Sequence, residues 1–389
     1  MTSADQTVVP IQKATLLVVA AVAAGLFFHL FTFGPTKPWL FLIGIGLGVA
    51  LYHAAFGFTG AYRRAILQRD ISGITAQIVM LAAAMLLFAP VLAAGEVFGH
   101  GVTGAVAPVS ISMAFGALLF GIGMQMGGGC ASGTLFTVGG GNLRMLLVLV
   151  FFCVGAFWAS LDMQWWSGLP GLGAVSLSRE MGDWPAVGLQ LAALVLLYIV
   201  LRLLGGRNDQ GLWWGGDFSR ERLLRGPWPP LLGAGALAVL NWATLLVAGH
   251  PWSVTWGYTL WGAKAAALLG WDPATSAFWS GSFAGGALSR PLLADTTSLM
   301  NIGIVIGALA AAALAGRLRI DTSRSPLSLI AAIAGGLLLG YGARLAYGCN
   351  IGAFFSGVAS TSLHGWVWIL AAVIGNVIGV RLRPVLRLA

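Results

Sequence analysis

The chain has 389 residues, a formal net charge of +9, 58% hydrophobic residues and only 8% charged residues. Soluble globular domains carry about 25% charged residues, so this composition excludes a fold clothed for water and makes the lipid bilayer the chain's main partner. The basic residues fall in short segments between apolar runs rather than on one continuous face, which excludes a nucleic-acid partner.

Apolar runs long enough to cross a hydrocarbon core of about 30 Å cover residues 14–33, 39–56, 71–93, 111–126, 143–161, 185–204 and 230–248. The first is as long as a full span and more spans follow it, unlike the short apolar core of a cleavable signal peptide, so it is expected to stay as a helix. From Trp252 to Arg290 the pattern is interrupted by Gly, Pro, Lys264 and Asp272, which suits broken or re-entrant helices covered by protein. Spans resume at 297–316, 326–345 and 366–381. The expected fold class is an all-α polytopic membrane protein with about ten spans plus re-entrant or broken helices. It divides into a first half with an N-terminal helix (1–204), a polar connecting loop (205–229) and a second half (230–389).

Arginines set the expected orientation. Arg63, Arg64 and Arg69, then Arg202, Arg207, Arg220, Arg222 and Arg225, then Arg317, Arg319 and Arg324, and finally Arg381, Arg383 and Arg387 mark cytoplasmic segments, because Lys and Arg bias short loops inward. The loops 94–110, 162–184 and 249–252 are poor in both and belong outside, which leaves both termini inside. Trp165, Trp166, Trp213, Trp214 and Trp228 flank spans as an interfacial belt. Asp70 and Asp295 each precede a long span and read as N-caps. His29 and His53 read as core histidines on apolar helices.

Internal similarity supplies the main functional signal. The segment Gly121-Ile-Gly-Met-Gln-Met-Gly-Gly-Gly-Cys130-Ala-Ser-Gly-Thr-Leu-Phe136 returns 219 residues later as Gly340-Tyr-Gly-Ala-Arg-Leu-Ala-Tyr-Gly-Cys349-Asn-Ile-Gly-Ala-Phe-Phe355. A weaker echo pairs Phe56-Gly-Phe-Thr59 with Trp256-Gly-Tyr-Thr259, each upstream of its half's cysteine. The arginines flank the corresponding spans at opposite ends, so two inverted-topology repeats are expected, with Cys130 facing Cys349 about the midplane. Inverted repeats place substrate sites at the repeat interface, lined by discontinuous helices.

Each motif is a glycine-rich helix end followed by Gly-Cys-x-x-Gly, carried by Gly129, Cys130 and Gly133 and by Gly348, Cys349 and Gly352. Such a segment can break a helix, and the N–H groups that start the next half-helix suit an anion. A thiol adds a weak donor and a soft acceptor. Arg344 stands at the position equivalent to Gln125 inside a span, where an unpaired Arg costs about 3 kcal/mol. It calls for an aqueous cavity, a partner or a route to the interface. Lys264 reads equally as an anion-attracting charge or half of a structural ion pair. Cys153 lies in a plain apolar run and reads as a small hydrophobe. The three cysteines form no C-x-x-C pair and no zinc spacing, so no metal, cofactor or catalytic residue is expected, and no ATP-binding motif is present.

The two glycine-cysteine motifs, the segment Trp256-Gly-Tyr-Thr-Leu-Trp-Gly-Ala-Lys264 and the run Ser362-Leu-His-Gly-Trp366 together resemble the YeeE/YedE family of sulfur-compound permeases, and the resemblance covers most of the chain. It implies a bacterial inner-membrane protein whose short helices point to a narrow constriction and which takes up a small inorganic sulfur anion, thiosulfate above all, past a file of cysteines. Thiosulfate carriers of this family also have an early Phe-Cys-x-x-Ala-x-Arg segment, which here reads Phe58-Thr59-Gly60-Ala61-Tyr62-Arg63, a hydroxyl standing in place of the thiol. Thr59 and Thr259 are therefore expected to line the approaches. Other sulfur or selenium compounds stay open as cargo, and a cytoplasmic sulfur-transfer protein as a partner. A rival from another class is a membrane-embedded sulfurtransferase or thiol redox protein using Cys130 and Cys349 covalently, although neither has a paired base beside it in sequence.

Overall fold

In the computed structural model, which describes residues 10–216, 218–321 and 325–388, the chain is helical almost throughout. Arg324 and the outermost terminal residues, to which the orientation expectation also refers, lie outside these residues. The first half holds α1 (Lys13–Leu30), α2 (Lys37–His53), α3 (Phe58–Gln68), α4 (Ser72–Ala94), α5 (Ile111–Gly127), α6 (Ala131–Gly139), α7 (Leu143–Leu161), the short α8 (Met163–Ser167) and α9 (Leu177–Met181), and α10 (Asp183–Leu203). The connecting loop holds α11 (Arg220–Arg225). The second half holds α12 (Pro230–Ala248), α13 (Thr255–Leu268), α14 (Ser282–Ser289), α15 (Thr296–Leu314), α16 (Pro326–Leu345), a π-helical segment (Asn350–Phe355) running into α17 (Ser356–Ala359), and α18 (Leu363–Leu382). Ten helical stretches among the described residues are long and apolar enough to cross a bilayer, as the hydropathy pattern predicts. The interrupted region after Trp252 becomes the short helix α13 and a hairpin carrying α14.

Local chemistry sets the boundaries. Proline stands within the first turn of α2, α12 and α16, where its missing N–H costs nothing. Asp295 caps α15 by accepting the Ser298 amide at 2.7 Å, the capping role its sequence position suggests. Asp70 departs from that reading. The residue flanking α4 is Ile71, and the buried Asp70 one step earlier accepts both the amide and the hydroxyl of Ser72 and pairs with Arg64 at 3.3 Å.

The arginine-rich segments gather on one face. Asp70 bridges to Arg207, Asn142 to Asp321, and the Trp228 amide donates to the His53 carbonyl. Gln12, near the start of the described chain, reaches Leu318 O on this face, and Arg383, near its end, donates to Gln125 O. His53 is buried beside Trp228. The arginine-poor loops gather on the opposite face, where Ser176 bridges to Ser362, Thr103 binds Gly249, and the strands β1 (Pro108–Ser110) and β2 (Gly171–Ala174) pair.

The core follows one pattern twice. α5 packs on α16 and α18 while α16 packs on α5 and α7, and likewise α2 packs on α15 and α12 on α4. α5 and α16 run antiparallel with closely approaching glycines: a Cβ on Gly342 would sit 2.7 Å from Phe120 N, and one on Gly123 would sit 2.9 Å from Gly335 O. Small residues let helix backbones approach this closely in a bilayer. α1 and α10 flank the bundle, with only Val19 and Leu30 of α1 and four residues of α10 buried.

Candidate functional site

The two cysteine motifs break their helices in the same way. α5 ends at Gly128, which takes φ +86°, and Cys130 then flanks α6 in extended conformation. α16 ends before Tyr347, at φ +57°, and Cys349 flanks the π-helical segment, also extended. Tyr347 is the counterpart of Gly128, so the second copy keeps a left-handed turn at a residue for which it costs about 1–2 kcal/mol. That the turn persists without glycine argues that the break itself is needed.

Both thiols face the helix start that follows them. The Cys130 sulfur accepts the Gly133 amide at 3.4 Å with the Ser132 hydroxyl at 3.5 Å, and the Cys349 sulfur accepts the Ile351 amide at 3.4 Å. Both are essentially buried, the two thiols lie within electrostatic reach of each other, and Tyr258 lies within reach of all three cysteines, Cys153 included. A Cβ on Gly133 would sit 3.4 Å from the Cys130 sulfur and one on Gly352 would sit 3.4 Å from the Ser253 hydroxyl. These glycines keep side chains out of the space beside the thiols. Gly129 is packed under the Met145 methyl, and Gly348, at φ +154°, would clash with the Ala353 amide if it carried a Cβ.

Two tyrosines cross between the halves, a feature absent from the sequence expectations. Tyr258 of α13 donates to the carbonyl of Ala131, the residue after Cys130, at 2.9 Å. Tyr62 of α3 receives the Asn350 side-chain amide, the residue after Cys349, at 3.3 Å. Their positions near the Phe56-Gly-Phe-Thr59 and Trp256-Gly-Tyr-Thr259 echo are the only sequence signal that could have found them.

The remaining candidates separate. The Thr59 hydroxyl is buried without a hydrogen-bond partner, one turn before Tyr62, whereas Thr259 bonds back to Thr255 O at 3.2 Å. Gln125 donates to Thr59 O and to Asn376, and its side-chain oxygen Oε1, like Asn350 Oδ1, is buried and unsatisfied. Arg344 lies over the Phe278 ring at 5.0 Å with its Nε buried and unbonded. Lys264 makes no ion pair among the described residues: its ammonium donates to Leu288 O and Arg290 O, each at 2.7 Å, and holds the end of α14. Cys153 lies on α7, part-buried and outside both motifs. Among the described residues no group of His, Cys, Asp or Glu could hold a metal.

Buried polar atoms without partners are uncommon in native proteins. Here Thr59 Oγ1, Gln125 Oε1, Asn350 Oδ1 and Arg344 Nε are such atoms, and of the four only Asn350 directly follows a motif cysteine. Each thiol is thus a buried hydrogen-bonding group at the start of a short helix.

Comparison with known proteins gives a consistent picture. A family model described as sulphur transport matches residues 53–378. The thiosulfate transporter TsuA of Spirochaeta thermophila is 27% identical over 349 residues, spanning 86% of this chain and 95% of that protein. The TsuA of Escherichia coli is 24% identical over 67% of this chain and 71% of its own length. The probable transporter YedE of Salmonella typhimurium is 35% identical, over 42% of this chain and 39% of its own length.

Proposed function

Because the chain belongs to the sulphur-transport family, we propose that it is an inner-membrane permease importing a small sulfur-containing anion, with thiosulfate as its cargo. The observation that carries this reading is the pair of buried thiols, each at the start of a short helix, within electrostatic reach of one another. The names of the two TsuA relatives support thiosulfate over other sulfur or selenium species.

The arginine-rich face is the cytoplasmic one, in keeping with the bias of Lys and Arg to inner loops. The exchange pattern of the core and the antiparallel α5 and α16 support inverted repeats about an axis in the membrane plane. Cargo descends from the arginine-poor face, meets the guanidinium of Arg344, passes between Cys349 and Cys130, and leaves past the Thr59 hydroxyl. Thiols and amides bind an anion weakly, and weak multi-site binding lets cargo leave as readily as it enters. A cytoplasmic sulfur-transfer protein that consumed the cargo would draw uptake inward.

Uptake of radiolabelled thiosulfate into proteoliposomes, with unlabelled sulfate, sulfite and selenite as competitors, tests the reading. Saturable uptake is expected, inhibited best by thiosulfate itself. Uptake suppressed more strongly by selenite or sulfate would assign a different cargo.

A further inference from the structure

On the arginine-poor face a cavity of ≈ 630 Å³ opens between the first residues of α2, the hairpin carrying α14 and the start of α15. Its ionisable wall comprises Lys37, Arg290, His250 and Asp295. The acid is engaged: one carboxylate oxygen accepts the Trp256 indole N–H at 3.0 Å and the other the Ser298 amide at 2.7 Å. Lys37 donates to Thr296 Oγ1 at 2.8 Å, and neither Lys37 nor Arg290 makes an ion pair within 4.0 Å among the described residues. Arg290 is exposed, and Lys264 holds the backbone carbonyl of Arg290 at the cavity rim. Two cations against one committed carboxylate leave the cavity with positive potential.

The floor of this cavity adjoins the constriction. Ser253 lines it and stands against Gly352, which shares the first turn after Cys349, where Ala353 N bonds Cys349 O at 2.9 Å. On the arginine-rich face a recess lined by Phe56 where the outer one has Trp256, and by Gln210 of the connecting loop, holds only ≈ 30 Å³.

We infer that this outer cavity is an anion-capture site, in which Lys37 and Arg290 concentrate divalent oxyanions above Cys349 before they enter the constriction. The site selects charge and not sulfur, so it takes sulfate as well as thiosulfate and leaves discrimination to the thiols below. Its place as the entrance rests on the proposed permease function, but its charge selectivity does not. A low-dielectric cleft lined by one sign of charge raises the local concentration of counter-ions and their arrival rate by about 10-fold or more.

Two measurements on the full-length protein test it. In Ser282→Cys, at the cavity wall, a negatively charged methanethiosulfonate should modify the new thiol about tenfold faster than a positively charged one, with the parent chain as baseline. Sulfate at constant ionic strength should slow the anionic reagent, and Arg290→Gln with Lys37→Gln should bring the two rates together. Equal rates in Ser282→Cys alone, or a ratio indifferent to both replacements, would overturn the site, whether or not the protein transports. In uptake, Arg290→Gln should raise KM for thiosulfate about three- to tenfold with little change at saturation. An unchanged KM would remove the cavity from the pathway, whereas a charge-selective cavity in a protein without uptake would overturn the permease reading alone.

Discussion

The thiols of Cys130 and Cys349 serve as hydrogen-bonding groups on this account, and each already accepts a backbone N–H from the helix start beside it. Serine at either position should therefore keep a measurable part of the uptake, since a hydroxyl also donates and accepts, although it is a harder partner for sulfur. A sulfurtransferase would lose everything with serine and would carry a persulfide on one cysteine, which mass spectrometry after exposure to thiosulfate detects; none is expected here. Tyr258→Phe should lower uptake while leaving the fold assembled, because it removes only the donor to Ala131 O, which stays within helix α6, at about 0.5–1.5 kcal/mol for the lost hydrogen bond. The cysteines were legible in the sequence because a whole glycine frame is duplicated around them. Tyr62 and Tyr258 were not, since their partners lie 288 and 127 residues away and no local pattern announces a contact made by the folded bundle. The bonds from Lys264, read in the sequence as an anion-attracting charge or half of an ion pair, to Leu288 O and Arg290 O were illegible for the same reason.

Among the elements, α5 and α16 meet along one of the seams between the halves. Gly342→Val should splay them, since even a Cβ there would stand 2.7 Å from the Phe120 amide. Overpacking of this kind costs about 1–3 kcal/mol, readable as a lower melting temperature and a smaller monodisperse fraction in detergent. The junction of α3 and α4 is held by Asp70, which lies outside the spans. Burial opposes its ionisation, but the hydroxyl and amide of Ser72, the Asp209 amide and the Arg64 guanidinium outweigh that and hold its carboxyl below the usual carboxylate range. A depressed folded value means stability that is present above the unfolded value of about 4 and lost as pH falls through the folded one. The melting difference between the parent and Asp70→Asn should therefore stay constant from pH 7 to pH 5 and shrink only in stronger acid. Long spans were readable from hydropathy alone. The π-helical start after Cys349 and the α14 hairpin were not, because glycine-rich segments leave the backbone conformation to tertiary packing.

At the scale of the molecule, a cavity of ≈ 630 Å³ on the arginine-poor face contrasts with a recess of ≈ 30 Å³ on the arginine-rich one. The connecting loop is tied to the start of α4 beside that recess: Asn208 meets Thr75 at 3.0 Å and the Gln210 amide donates to the Ser72 hydroxyl. Single cysteines in 205–216 should react with impermeant reagents only from the cytoplasmic side, and those in 162–184 only from the periplasm; the reverse pattern would overturn the orientation. Passage of cargo between Cys130 and Cys349 can be read from thiosulfate uptake into proteoliposomes holding equal amounts of the parent, Cys130→Ala, Cys349→Ala and Cys153→Ala. Uptake should fall severely in the first two variants and stay near the parental rate in the third; equal uptake by all three would rule out a path between the two thiols.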